Sequence, residues 1–189
     1  MIRKNLYYIE GTRASGKTFL AEQLKEDYFK FQFVDWFKEL NLENNSKDTH
    51  LFALGKEILL MQLSNMSFLD RTLFVDRGII TVFVWGITQK RISYEEALDQ
   101  IMALNQRKLF DNCGFIFIEG SKSKTHLNKD FWDGSDNELE RKLFNKIFRI
   151  LMKLYPYSLS LQPYDLTRGR KMWFYSIPAY VNRRTSNPT

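Results

Sequence analysis

Cysteine is almost missing from this 189-residue chain, where Cys113 stands alone, and a lone cysteine excludes an internal disulfide framework. Histidine is nearly as scarce: with only His50 and His126 beside that cysteine, no zinc site of ordinary spacing can be assembled. Proline is confined to Pro156, Pro163, Pro178 and Pro188, which leaves everything before it free to build long uninterrupted elements. No apolar run approaches membrane-spanning length, and Met1-Ile2-Arg3-Lys4 leads straight into a strand-like run with no room for a signal peptide. The absences point to a cytoplasmic protein with no membrane contact. Neither an internal repeat nor a low-complexity segment interrupts it.

What is present suits one folded domain: 44% of residues are hydrophobic and 15% aromatic, and a chain of this length can bury a core without staples. The formal charge is +6, and an excess of positive charge suits partners that are anionic. The charge is uneven, because Arg168, Arg170, Lys171, Arg183 and Arg184 face only Asp165 in the last stretch, a net +4. With Trp173, Phe174, Tyr175 and Tyr180 interleaved, residues 165–189 read as a basic aromatic C-terminal extension. It is either a solvated, partly packed tail or a segment able to hold nucleic acid by phosphate pairing and base stacking. Residues 1–164 form the main domain.

Short β-branched or aromatic runs place strands at about residues 5–10, 31–35, 72–76, 114–119 and 157–161, separated by helical stretches. Two helix starts are marked by capping boxes, Ser93-Tyr94-Glu95-Glu96 and Ser135-Asp136-Asn137-Glu138. The second helix carries Leu139, Leu143, Ile147, Ile150, Leu151 and Leu154, a stripe at helical spacing expected in the core. Strand and helix in alternation give an α/β fold whose parallel sheet is covered on both faces. Ligands then gather where the strands end.

Between the first strand and the first helix lies Gly11-Thr12-Arg13-Ala14-Ser15-Gly16-Lys17-Thr18, a complete G-x-x-x-x-G-K-[ST] loop in its required strand-loop-helix setting. The glycines let successive N–H groups turn inward on phosphate oxygens, so Gly11, Arg13, Ala14, Ser15 and Gly16 are expected to cradle a nucleoside triphosphate. Lys17 supplies a mobile positive charge, and the Thr18 hydroxyl is placed for Mg²⁺. ATP and Mg²⁺ are the cofactors this implies.

Three apolar strands end in carboxylates. Leu73-Phe74-Val75 runs into Asp76-Arg77, where the aspartate suits Mg²⁺ and the guanidinium suits charge developing on a transferred phosphoryl group. Phe31-Gln32-Phe33-Val34 ends at Asp35, placed either to accept the proton of an attacking hydroxyl or to cap the turn that follows. Phe115-Ile116-Phe117-Ile118 ends at Glu119, which competes with Asp76 as metal carboxylate; the neighbouring arginine favours Asp76. The polar run after Glu119 contains Lys122 and Lys124 and fits either a lid that closes cations over the phosphates or a plain solvated loop.

Together these motifs resemble the thymidylate kinase and deoxynucleoside kinase group of P-loop proteins over about residues 5–161. Tyr8-Ile9-Glu10-Gly11 through Gly16-Lys17-Thr18 is similar to that group's strand, Glu-Gly pair and phosphate loop. Asp76-Arg77 is similar to its Asp-Arg or Glu-Arg motif. Gly78 to Gly86 resembles the helix lining its acceptor pocket, with Thr81 where a serine is frequent. The resemblance implies a P-loop NTPase three-layer sandwich with a five-stranded parallel sheet, helices on both faces and a lid. It also implies Asp35 as base and ATP-dependent phosphoryl transfer to a deoxynucleoside or nucleoside monophosphate, with a homodimer compatible. Two positions depart from it: the lid offers Lys122 and Lys124 instead of arginines, losing the bidentate fork, and Arg13 stands where thymidylate kinases often have an aspartate reading the sugar. Polynucleotide kinases offer an alternative, since they too pair a P-loop with an aspartate and a nearby cation, a pattern Asp35 and Lys38 resemble. The acceptor would then be a hydroxyl of DNA or RNA, at a 5′ end or on a modified base, with the basic tail holding the strand.

Overall fold

A computed structural model describes residues 6–12, 15, 17, 20–21, 32–34, 47–66, 73–111, 113–118, 136–154 and 159–161, with backbone alone at 32–34, 136–137 and 159–161. The expected lid, and the extension at 165–189, lie outside the described residues. Strands β1 (Leu6–Gly11), β3 (Leu73–Asp76) and β4 (Cys113–Ile118) form the centre of a sheet, with three-residue segments β2 (Gln32–Val34) and β5 (Leu159–Leu161) at its edges. The order is β2-β3-β1-β4-β5, and every pairing is parallel. Parallel strands of this kind are buried on both faces and so read as continuous apolar runs. In β1, β3 and β4 every residue is buried, the acidic Glu10 and Asp76 included.

Register assigns the faces. Leu6 lies beside Leu73 and Cys113, and Tyr8 beside Val75 and Phe115; these side chains join one core with four helices, α1 (Lys47–Asn65), α2 (Ile79–Thr88), α3 (Tyr94–Gln106) and α4 (Asp136–Leu154). The opposite face, with Tyr7 stacked on Phe74 at 5.4 Å, is buried too, as are Leu20 and Ala21 where the chain turns helical after the loop.

Helix α2 occupies the middle of the helical layer and touches α1, α3, α4 and β1. Its sequence IITVFVWGIT is apolar all round, the pattern of a helix packed on every side. Helix α3 begins at the expected capping box: Ser93 Oγ accepts from Glu96 N at 3.0 Å, and Glu96 Oε2 accepts from Ser93 N at 2.8 Å. Glu96 also pairs with Lys47 of α1 at 2.7 Å, and His50 meets Gln100 at 3.0 Å, so α1 and α3 are joined by polar contacts as well.

Helices α2 and α3 end alike. Lys90 and Lys108 take left-handed φ of +56°; Lys90 N reaches Ile87 O and Arg91 N reaches Gly86 O, while Lys108 N reaches Asn105 O and Leu109 N reaches Leu104 O. These are Schellman caps with lysine where glycine is usual. Helix α4 docks through Phe148 and Phe144, whose rings lie 4.3 and 6.2 Å from that of Phe117 on β4. The expected stripe is offset: Leu143, Ile147 and Leu151 are buried, but Leu139 is 49% exposed and Glu140 takes an inward position.

Candidate active site

Gly11 closes β1 at a φ of +149°, and a Cβ there would run into the Ile118 carbonyl of β4. Only glycine lets the backbone leave the sheet this closely. Beyond it the chain curls so that Ser15 N meets Thr12 O at 3.3 Å. Lys17 is buried, and its ammonium donates to Gly11 O at 2.7 Å and Thr12 O at 2.6 Å, with Ser15 Oγ at 3.5 Å. The described loop residues Gly11, Thr12 and Ser15 thus surround the ammonium of Lys17. Burial lowers the Lys17 pKa to about 8, and the positive charge of Arg77 pushes the same way, while Asp76, Glu10 and Glu140 pull it back.

Asp76 ends β3 one strand away, paired with Ile9 in register and 1% exposed. Arg77 follows with a φ of +65°, a left-handed conformation that a long side chain adopts at a cost of about 1 kcal/mol or more. Its N–H donates to Ile9 O at 3.0 Å, continuing the ladder one step past the strand, and its guanidinium lies 5.7 Å from the centre of the Trp85 ring. The reversal turns the chain directly into α2. Gly78 fills the N-cap position with no side-chain cap of its own, because a Cβ there would enter the Tyr8 ring.

The cap comes from β1 instead. Glu10 Oε1 accepts from Gly78 N at 3.1 Å and Ile80 N at 2.8 Å, and Oε2 accepts from Thr81 N at 3.2 Å and Thr81 Oγ1 at 2.6 Å. A fully buried carboxylate therefore closes the donor end of a buried helix, which satisfies orphan N–H groups and opposes the helix dipole. Burial raises Glu10 to about 7, against the pull of the Thr81 and Ile80 hydrogen bonds and of Lys17. Residues Gly11 and Asp76-Arg77 are bound to one another through this contact, since Glu10 precedes the loop and grips the helix that Arg77 begins.

Two more buried carboxyls stand nearby. Glu57 of α1 faces the Tyr8 hydroxyl, and burial raises it to about 8. Glu140 of α4 is 4% exposed and acts on Lys17. Neither was singled out by sequence: Glu57 sits in an ordinary helical pattern, and Glu140 was hidden by the expectation that Leu139 faced inward. Glu10 was read only as part of a family motif.

Of the expected site residues, Gly11, Ser15, Lys17, Asp76 and Arg77 are brought together at the carboxyl end of the sheet. Arg13, Ala14, Gly16, Thr18, Asp35, Lys122 and Lys124 lie outside the described residues. The groups in place have the right chemistry for a phosphate chain with a divalent cation: a buried ammonium over backbone carbonyls, a buried carboxylate and a guanidinium. No group of three or more metal-ligating side chains gathers among the described residues. Mg²⁺ typically takes one or two carboxylates, with phosphate and water completing its shell.

No family model matches the sequence, and no curated protein matches it. Solved structures do. The YorR protein of Bacillus subtilis, in complex with phosphorylated GDP, superposes with a TM-score of 0.62 at 13% identity over 97% of this chain and 99% of its own. Thymidylate kinase from Candida albicans gives 0.63 at 15% identity, covering 99% of this chain and 96% of that one. Deoxyadenosine kinase from M. mycoides with bound dATP gives 0.56 at 14% identity, covering 94% and 98%. With a parallel α/β sheet, a phosphate-type loop leaving its central strand and these neighbours, the chain has a P-loop kinase-like fold.

Proposed function

We propose that this chain is an ATP- and Mg²⁺-dependent kinase of the cytoplasm that transfers a phosphoryl group to a deoxynucleoside or nucleoside monophosphate. The observation that carries the reading is the meeting of Lys17, Asp76 and Arg77 at the end of the central strands, with Glu10 joining the loop to α2. Fold neighbours that hold phosphorylated GDP and dATP support a nucleotide in the same place.

In this reading residues 1–164 are the catalytic domain, a three-layer sandwich with five parallel strands and helices on both faces. The N–H groups from Gly11 to Gly16, with Arg13, Ala14 and Ser15 between, hold the β- and γ-phosphates. Lys17 leaves its loop carbonyls for the phosphates, an exchange of neutral acceptors for charged ones that strengthens its hydrogen bonds. Thr18 and Asp76 hold Mg²⁺, which neutralises phosphate charge when bound. Arg77 and the lid cations Lys122 and Lys124 balance the charge that develops on the transferred group, and Asp35 orients the acceptor hydroxyl and takes its proton. Catalysis here is positioning plus electrostatics.

The test is ADP release with and without a panel of nucleosides, monophosphates and 5′-hydroxyl oligonucleotides. A nucleoside or monophosphate should stimulate release, and Asp76→Asn should lower that rate at least a hundredfold, on the scale of losing one transition-state charge contact. A response to oligonucleotides alone would replace this reading with a polynucleotide kinase. Silence to the whole panel would refute both.

A further inference from the structure

The outward face of α4 bears a line of cations. Lys142, Lys146, Arg149 and Lys153 are all exposed, spaced four, three and four residues apart, which puts them on one side of the helix along roughly 16 Å. With Arg141 and Tyr94 they line an open groove of about 510 Å³ between α4 and the start of α3. No carboxylate is among the described residues that line it. Lys142 is partly neutralised by Glu138 at 3.1 Å, whereas Lys146 is held 3.7 Å from the centre of the Tyr94 ring by a contact that leaves its charge in place.

The opposite side of α4 is buried through Leu143, Phe144, Ile147, Phe148 and Leu151. A helix that inserts into a bilayer interface must offer an apolar face to the lipid, and that of α4 is committed to the core. What remains is a row of like charges in which Arg149, with the half-buried Arg141 beside the row, can grip phosphates in bidentate fashion. A ligand matching it must present anions repeatedly along a line, which is the geometry of a phosphodiester backbone. We propose that this groove binds a nucleic-acid strand through its phosphates, without reading sequence. None of the residues lining the groove is among those placed at the nucleotide site, and the proposal is independent of which acceptor the kinase uses.

The experiment is fluorescence anisotropy of the full chain with a labelled single-stranded DNA of about 20 nucleotides, across roughly 50 to 200 mM salt. Binding should weaken linearly on logarithmic axes. The triple variant K146Q/R149Q/K153Q should flatten the slope by about 2, since each lost phosphate contact on a single strand contributes about 0.7, and should weaken low-salt binding at least tenfold. ATP binding and the thermal melt serve as folding controls; if the triple variant melts early, K146Q and K153Q singly should each flatten the slope by about 0.7. No binding of wild type at the lowest salt would overturn the proposal. So would an unchanged slope in the variants, which would place any contact elsewhere on the chain, or binding to anionic vesicles without binding to DNA.

Discussion

Glu57→Gln isolates the energetic consequence of burying a carboxyl inside the helical layer. Glu57 is 2% exposed, and its pKa rises from the usual 4.5 to about 8 because burial outweighs the help of the Tyr8 hydroxyl. Between those two values the folded chain holds a proton that the unfolded chain has released. Stability must therefore fall as pH rises through that window, at a slope of one proton. Over the interval the loss reaches about 4 kcal/mol by pH 8, taking about 1.4 kcal/mol per unit. Glutamine is isosteric with the protonated acid and does not ionise, so the variant should match wild type near pH 5 and exceed it increasingly toward pH 8. Glu10, raised to about 7, adds a fall of the same sign between pH 4.5 and 7 that the variant retains. Urea denaturation at half-unit pH steps reads the difference directly. If the two stability curves run parallel across pH 5 to 8, Glu57 is not buried as an uncompensated acid and the reasoning fails.

Other substitutions probe single contacts. Glu10→Ala strands the N–H groups of Gly78, Ile80 and Thr81 in a buried site and should cost about 3 kcal/mol in urea melts at pH 8; a cost under about 0.5 would mean that α2 is fixed by packing alone. Gly78→Ala forces a methyl group into the Tyr8 ring and should cost about 2 kcal/mol or more; an unchanged melt would show that the Tyr8 ring does not press on the N-cap. Lys108→Gly relieves a left-handed lysine at the α3 cap and should raise stability by about 0.5 to 1 kcal/mol; a loss of stability would show that the cap gains more from the lysine side chain than it spends on φ.

The turn at Gly11 and the end of β3 at Asp76 were legible because each is marked by residue types with few other uses: a glycine opening a run that ends in Gly-Lys, and a carboxylate that breaks an apolar run. The central strands Leu6–Gly11, Leu73–Asp76 and Cys113–Ile118 fall within a residue or so of their expected positions, since fully buried parallel strands announce themselves as unbroken apolar segments. The Ser93 cap was equally plain. Glu10 was not, because a carboxylate inside a strand gives no hint that its partner is a helix whose N-cap lies 68 residues later. The left-handed Arg77 was hidden for a related reason: the residue that supplies strain is identified by backbone angle, not by side chain. In α4 the expected stripe holds at Leu143, Ile147 and Leu151 and fails at its first position, where Leu139 is exposed and Glu140 is buried, and it omitted Phe144 and Phe148, which pack on Phe117. Ends of α2 and α3 carried no glycine to mark them.

The loop from Gly11 to Thr18 is central to the proposed activity only if it holds the phosphates of a nucleoside triphosphate. Isothermal titration of the full chain with Mg²⁺ and a non-hydrolysable ATP analogue tests that without reference to any acceptor. Saturable binding at one site per chain is the expected result, abolished in Lys17→Ala while its melting temperature stays near that of wild type. Absence of heat in well-folded protein, or equal binding by the Lys17 variant, would contradict the claim.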